Sequence, residues 1–120
     1  MTGGSASEWV ESPTITGSAG AALAPAPTPV SAIGGAGQIA VTFRAPNNAN
    51  YRAMEIWRAL SDDPGSAVLL FGPIYGAPNA TVTQTHTGLG SGATRYYFAR
   101  SIDRHGQPSP FSASISATTA

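Results

Sequence analysis

Beyond Val30 the apolar residues of this chain recur at every second position, and no stretch shows the period of about 3.6 that an amphipathic helix requires. Alternation of this kind puts one set of side chains on one face of an extended strand. Val30 and Ala32 begin a first strand that stops at Gly34-Gly35. Ile39, Val41 and Phe43 then alternate with Ala40, Thr42 and Arg44, which predicts a second strand with one buried face. Tyr51 to Ala59 is a third, with Met54 and Ile56 on one face and Ala53, Glu55 and Trp57 on the other. Ala67 to Phe71 is a short apolar strand. Pro73 and Pro78 after it mark an irregular link, since proline cannot donate to a central ladder.

The segment from Ala80 to Ala120 says most about architecture. A threonine-rich run, Ala80 to Thr87, ends at Gly88-Leu89, with the leucine turned inward. A glycine loop leads to the most aromatic strand, Tyr96 to Ile102. Asp103-Arg104-His105-Gly106-Gln107 forms a hairpin tip, and Phe111 to Thr118 closes the sheet with Phe111, Ala113 and Ile115 in one phase. Turn residues at Pro46–Asn50 and Ser61–Ser66 complete the punctuation. About seven short strands at spacings of roughly 8–12 residues describe an all-β, seven-stranded antiparallel β-sandwich.

A chain of 120 residues has room for one such core. Charged residues make up 10% of it and the formal net charge is zero, so nothing draws it electrostatically to nucleic acid or an anionic membrane. Cysteine is absent, which excludes disulfides, thiol nucleophiles and thiolate metal sites. All six basic residues are arginine, a bias expected of a GC-rich genome. No segment approaches the roughly 20 apolar residues of a membrane helix. The N-terminus lacks the pattern of a secretory signal, so synthesis in the cytoplasm is expected.

Residues 1–29 differ from residues 30–120. They are rich in Gly, Ser, Ala, Thr and Pro and end in Ala-Pro-Ala-Pro-Thr-Pro, a composition that favours an extended arm or linker. Glu8-Trp9-Val10-Glu11 and Ile15 interrupt it. Trp9, Val10 and Ile15 are candidate anchors for a neighbouring subunit; the bland alternative is a leader with a stray tryptophan. Deleting residues 1–26 is expected to leave a folded domain.

Reaction chemistry is hard to place. His86 and His105 stand on different elements, whereas zinc needs convergent ligands. Asp62-Asp63 sits in D-D-P-G-S, which reads as a turn before it reads as a calcium site. Glu55 and Asp103 do not make an acid–base pair, and no serine lies in a G-x-S-x-G elbow. Gly34-Gly35-Ala36-Gly37 is a hairpin with no helix after it to receive a phosphate. Asn79-Ala80-Thr81 fits a glycosylation sequon, a short pattern that also arises by coincidence. No catalytic residue, metal ligand or cofactor is expected. Trp57, on the face opposite Met54 and Ile56, stands outward with Glu55 and beside Arg58, and aromatic–arginine pairs are frequent contact residues. The competing reading is that Trp57 only covers the sheet with arginine stems. Arg104 and His105, at the hairpin tip, complete the candidate contacts for a partner or a glycan.

From about Ala26 onward the chain resembles a fibronectin type III domain, an immunoglobulin-like sandwich. The resemblance is carried by P-T-P-V at Pro27–Val30, I-A-V-T-F at Ile39–Phe43, M-E-I-W-R at Met54–Arg58, Gly88-Leu89, Y-Y-F-A-R-S-I-D at Tyr96–Asp103 and S-P-F-S at Ser109–Ser112. The last two look most like the type III modules of bacteriophage tail and host-specificity proteins. Two departures stand out. Phe43 occupies the place of the family's second-strand tryptophan. The tyrosine-corner position, six after the leucine, is Arg95, so Tyr96 or Tyr97 takes that role. The tripeptide that some members carry at the hairpin tip is not present, so integrin-type binding is not implied. The resemblance implies a non-enzymatic structural or adhesion module of a phage-like tail or virion. Its arm would attach it to other tail proteins in a homo- or hetero-oligomeric assembly, without nucleic acid or membrane insertion. The alternative is a carbohydrate-binding module that recognises host surface glycans.

Overall fold

The structure, a computed structural model, describes residues 24–120. Trp9, Val10 and Ile15 lie outside the described residues. Two antiparallel sheets face each other. The strands are β1 (Thr28–Gly35), β2 (Gln38–Arg44), β3 (Tyr51–Ala59), β4 (Val68–Tyr75), β5 (Thr81–His86), β6 (Thr94–Asp103) and β7 (Ile115–Thr118). One sheet has the order β1-β2-β5, the other β4-β3-β6-β7.

The core follows from alternation. Ile39, Val41 and Phe43 of β2 are fully buried, and so are Met54 and Ile56 of β3 and Tyr97 and Ala99 of β6. Each large aliphatic or aromatic side chain removed from water this way contributes about 1.5–3 kcal/mol. Leu89, Val82 and Ile115 pack against the same cluster. On the outer face of the smaller sheet Thr42 stands opposite Thr83, and their hydroxyls share a 2.8 Å hydrogen bond.

Three expectations shift. The first strand begins at Thr28, and a register shift between Pro29 and Ser31 turns Val30 outward, to 53% exposure. The packed body reaches further still: Ala24 lies in the core, and the Ser101 hydroxyl donates to the carbonyl of Pro25 at 2.7 Å. The arm boundary read at residue 29 therefore falls inside the packed body. Second, Pro73 lies within β4 and not in a link. It is tolerated there because β4 is an edge strand, and the register shifts around Gly72-Pro73. Gly72 has φ +128, and a Cβ on it would lie 2.9 Å from the Met54 carbonyl oxygen, so glycine is required.

Third, the closing strand is only Ile115–Thr118, and Phe111 is out of phase with Ile115. Phe111 packs on the outer face, while Ile115 packs on the core. Proline 110 cannot donate to a ladder, and serines replace the missing pairing. Ser109 N–H donates to the Ser101 carbonyl at 2.8 Å, and its Oγ accepts from the Ser101 amide at 2.9 Å. Ser112 does the same with Ala99, at 2.8 and 3.1 Å. The S-P-F-S run is thus a side-chain-mended strand.

The sheets meet at one corner, where the Ala120 amide donates to the Gly35 carbonyl at 3.0 Å. A Cβ on Gly34 would lie 1.9 Å from the Thr118 carbonyl oxygen, so only glycine permits this approach of β1 to β7. Thr119 fastens the loop before β6: its Oγ1 accepts from the Ala93 amide at 2.8 Å and donates to the Gly90 carbonyl.

Candidate functional site

On the outer face of the larger sheet, cross-strand register assembles one cluster. Trp57 stands opposite Phe98, and Glu55 opposite Arg100. Glu55 Oε1 accepts from Arg100 Nε at 2.7 Å and from Trp57 Nε1 at 3.1 Å. The Arg100 guanidinium lies 4.8 Å from the Trp57 ring centroid and 5.3 Å from that of Phe111. Phe111 meets Trp57 edge-on at 5.4 Å. An arginine against two touching rings, with a carboxylate at its edge, is held by cation–π attraction and a charge-assisted hydrogen bond together. Trp57 is half-buried by these neighbours.

Arg58 does not join Trp57. One residue further along β3, it points to the other face, where it flanks His86 and Arg95 beside a depression of about 360 Å³. His86 Nδ1 and the Tyr97 hydroxyl share a hydrogen bond of 2.9 Å. Tyr97, not Tyr96, is the inward tyrosine after the glycine loop, and its hydroxyl is met by a side chain of β5. Burial lowers the His86 pKa, and the Arg58 and Arg95 charges lower it further. Burial pushes the Tyr97 hydroxyl up to about 12, with the same arginines acting against the rise.

Arg104 and His105 lie at the opposite end of the sandwich, roughly 20 Å from Trp57 along β3 at ~3.3 Å per residue. Asp103 is buried and organises their turn: its Oδ1 accepts from the His105 and Gln107 amides at 2.8 and 2.9 Å. Arg104 Nε donates to the Ala49 carbonyl at 2.8 Å. Arg104 also borders an open depression of about 490 Å³ with Tyr51, Arg52 and Tyr75. His105 is exposed and stands outside that rim. The four candidate contacts, Trp57, Arg58, Arg104 and His105, therefore occupy three separate places. Among the described residues no three His, Cys, Asp or Glu side chains group as metal ligands.

Sequence reasoning missed Arg100, Phe98 and Phe111 as neighbours of Trp57, and Arg52 and Tyr75 as neighbours of Arg104. Their proximity depends on strand register, which alternation alone does not specify. The M-E-I-W-R and Y-F-A-R runs held a usable signal: pairing them antiparallel with opposite charges aligned brings Glu55 to Arg100 and Trp57 to Phe98.

The solved structures that resemble this sandwich include three informative ones. An Fn3-like protein from Clostridium thermocellum shares 21% identity at TM-score 0.59, covering 78% of this chain and 91% of that one. The fibronectin type III domain of human fibronectin type III domain containing protein 3 shares 15% at TM-score 0.63, covering 87% and 93%. The fold is fibronectin type III. A β-1,2-glucanase from Parabacteroides distasonis matches the type III sandwich at 23% identity and TM-score 0.62. The match covers 82% of this chain but only 13% of that enzyme. At these identities the likeness is one of fold. No family model and no curated protein matches the sequence.

Proposed function

We propose that this chain is a non-enzymatic structural or adhesion module of a phage-like tail or virion. In this reading the sandwich is displayed or packed by repetition, and the leading arm attaches it to neighbouring tail proteins. One observation carries the module reading: the partly or fully buried side chains that reaction chemistry would recruit are committed to holding the sandwich. Glu55 binds Arg100 and Trp57, His86 binds Tyr97, Asp103 builds a turn, and Ser101 and Ser109 complete a ladder. The tail context is supported by the likeness of Tyr96–Asp103 and Ser109–Ser112 to tail-protein modules. Synthesis in a bacterial cytoplasm followed by incorporation into a particle belongs to the same reading. The test is to express the chain with and without residues 1–23 in a host producing the particle. Incorporation of the full chain alone is expected; equal incorporation of both forms contradicts the role of the arm.

A second reading, a carbohydrate-binding module for host surface glycans, is favoured by the exposed Arg52–Tyr75 pair and by the glucanase among the fold neighbours. A glycan array with Trp57→Ala as control separates it from a purely structural role.

A further inference from the structure

The depression at the Arg104 end has features that the structural role does not need. It is open, measures about 490 Å³, and is walled by Arg52, Tyr75 and Arg104 over the buried ring of Tyr51. Tyr75 is 63% exposed, which leaves ring surface open to a ligand. The Arg52 guanidinium lies 5.3 Å from its ring centroid. Among the described residues the ion pair is Arg100 with Glu55, so neither Arg52 nor Arg104 has a carboxylate within ion-pair distance. The near carboxylate, Asp103, is buried with one oxygen engaged by two amides of its own turn. Arg104 uses its Nε on the Ala49 carbonyl, which fixes the guanidinium while leaving its terminal nitrogens for another acceptor.

Two guanidiniums without a counter-ion among the described residues, beside an exposed ring, suit a ligand with one carboxylate and one flat apolar face. Arginine binds carboxylate in a planar, two-pronged geometry. An extended peptide is the poorer fit: the adjoining edge strand β4 is broken at Gly72-Pro73, and Pro73 supplies no amide for strand addition. We propose that this depression binds an acidic saccharide, its ring carboxylate held by Arg52 and Arg104 and its sugar face resting on Tyr75. The assignment rests on the carbohydrate-binding reading above and moves the site from Trp57 to the other end of the sandwich.

The test is titration of the full chain with trigalacturonate, with its fully methyl-esterified form and with an oligoglutamate peptide, read by amide chemical-shift mapping and calorimetry. Saturable binding of trigalacturonate at millimolar or lower concentration is expected, with shifts centred on Arg52, Gly76 and Arg104. The ester should bind at least about tenfold more weakly, as should Arg52→Gln and Tyr75→Ala, while Trp57→Ala binds normally. Arg52 and Tyr75 are exposed, so both variants are expected to keep the wild-type unfolding midpoint, which is checked alongside. Equal binding of the ester, tighter binding of oligoglutamate, or binding insensitive to Arg52→Gln overturns the assignment. Glycan binding abolished by Trp57→Ala alone leaves the carbohydrate reading standing and sinks this placement. Absence of any saccharide binding sinks both.

Discussion

At the scale of single residues, two positions concentrate the physics. Gly34 is required by contact distance: a methyl group there would meet the Thr118 carbonyl oxygen at 1.9 Å, and backbone on both sides leaves nothing soft to yield. Gly34→Ala should therefore lower unfolding free energy by about 2–4 kcal/mol in urea titration. A loss below ~0.5 kcal/mol would mean that β1 and β7 do not meet there. The His86–Tyr97 pair sets the pH limits. His86 binds its proton less tightly in the folded than in the unfolded chain, mainly through burial and then through Arg58 and Arg95. Its contribution is complete above the ordinary histidine value of about 6.5 and fades as pH falls below it. Tyr97, pushed up to about 12, keeps its proton longer when folded, so its contribution is complete below ~10 and fades as pH rises through the folded value. Tyr51, raised by burial, adds to the alkaline side. Stability measured against pH should thus decline below about 6.5 and above about 10, and Tyr97→Phe should flatten the alkaline decline without removing it.

The strands themselves show how side chains can stand in for a ladder. Ser109 and Ser112 each give an amide to a β6 carbonyl and take the amide of the same β6 residue on their hydroxyl. Ser109→Ala leaves the buried Ser101 amide without its acceptor and should cost about 1–3 kcal/mol, measured by thermal or urea unfolding. Ser109→Thr, which keeps the hydroxyl, should recover part of that loss. This element also marks where reading from sequence stopped. Tyr51 to Ala59 was legible to the residue, because Met54 and Ile56 alternate cleanly and turn residues bound the run on both sides. The buried trio Ile39, Val41 and Phe43 was equally plain. Val30, Pro73 and Phe111 were not, since each sits at a bulge or break where one extra residue reverses the faces. The same limit hid the contact clusters. Arg100 reaches Trp57, and Arg52 reaches Tyr75, through register between strands far apart in sequence. Arg58, adjacent to Trp57 in sequence, is on the other side of the sheet.

The whole molecule is a two-layer type III sandwich around one core, and the proposed role gives its leading segment to contacts with neighbours. Packing already includes Ala24, the first described residue, whose side chain lies in the core beside the Pro25 carbonyl that receives the Ser101 hydroxyl. Composition explains why so few charges suffice: the two layers are joined by apolar burial, and one ion pair, Arg100 with Glu55, serves an aromatic cluster among the described residues. The direct measurement is equilibrium unfolding of the full chain beside versions that begin at residues 24 and 27. The version from residue 24 should unfold cooperatively with the full chain's free energy. The version from residue 27 should lose about 1–3 kcal/mol, through the exposed core at Ala24 and the unpaired Ser101 hydroxyl. A comparable loss already on removal of residues 1–23 would contradict the division into folding body and attaching arm.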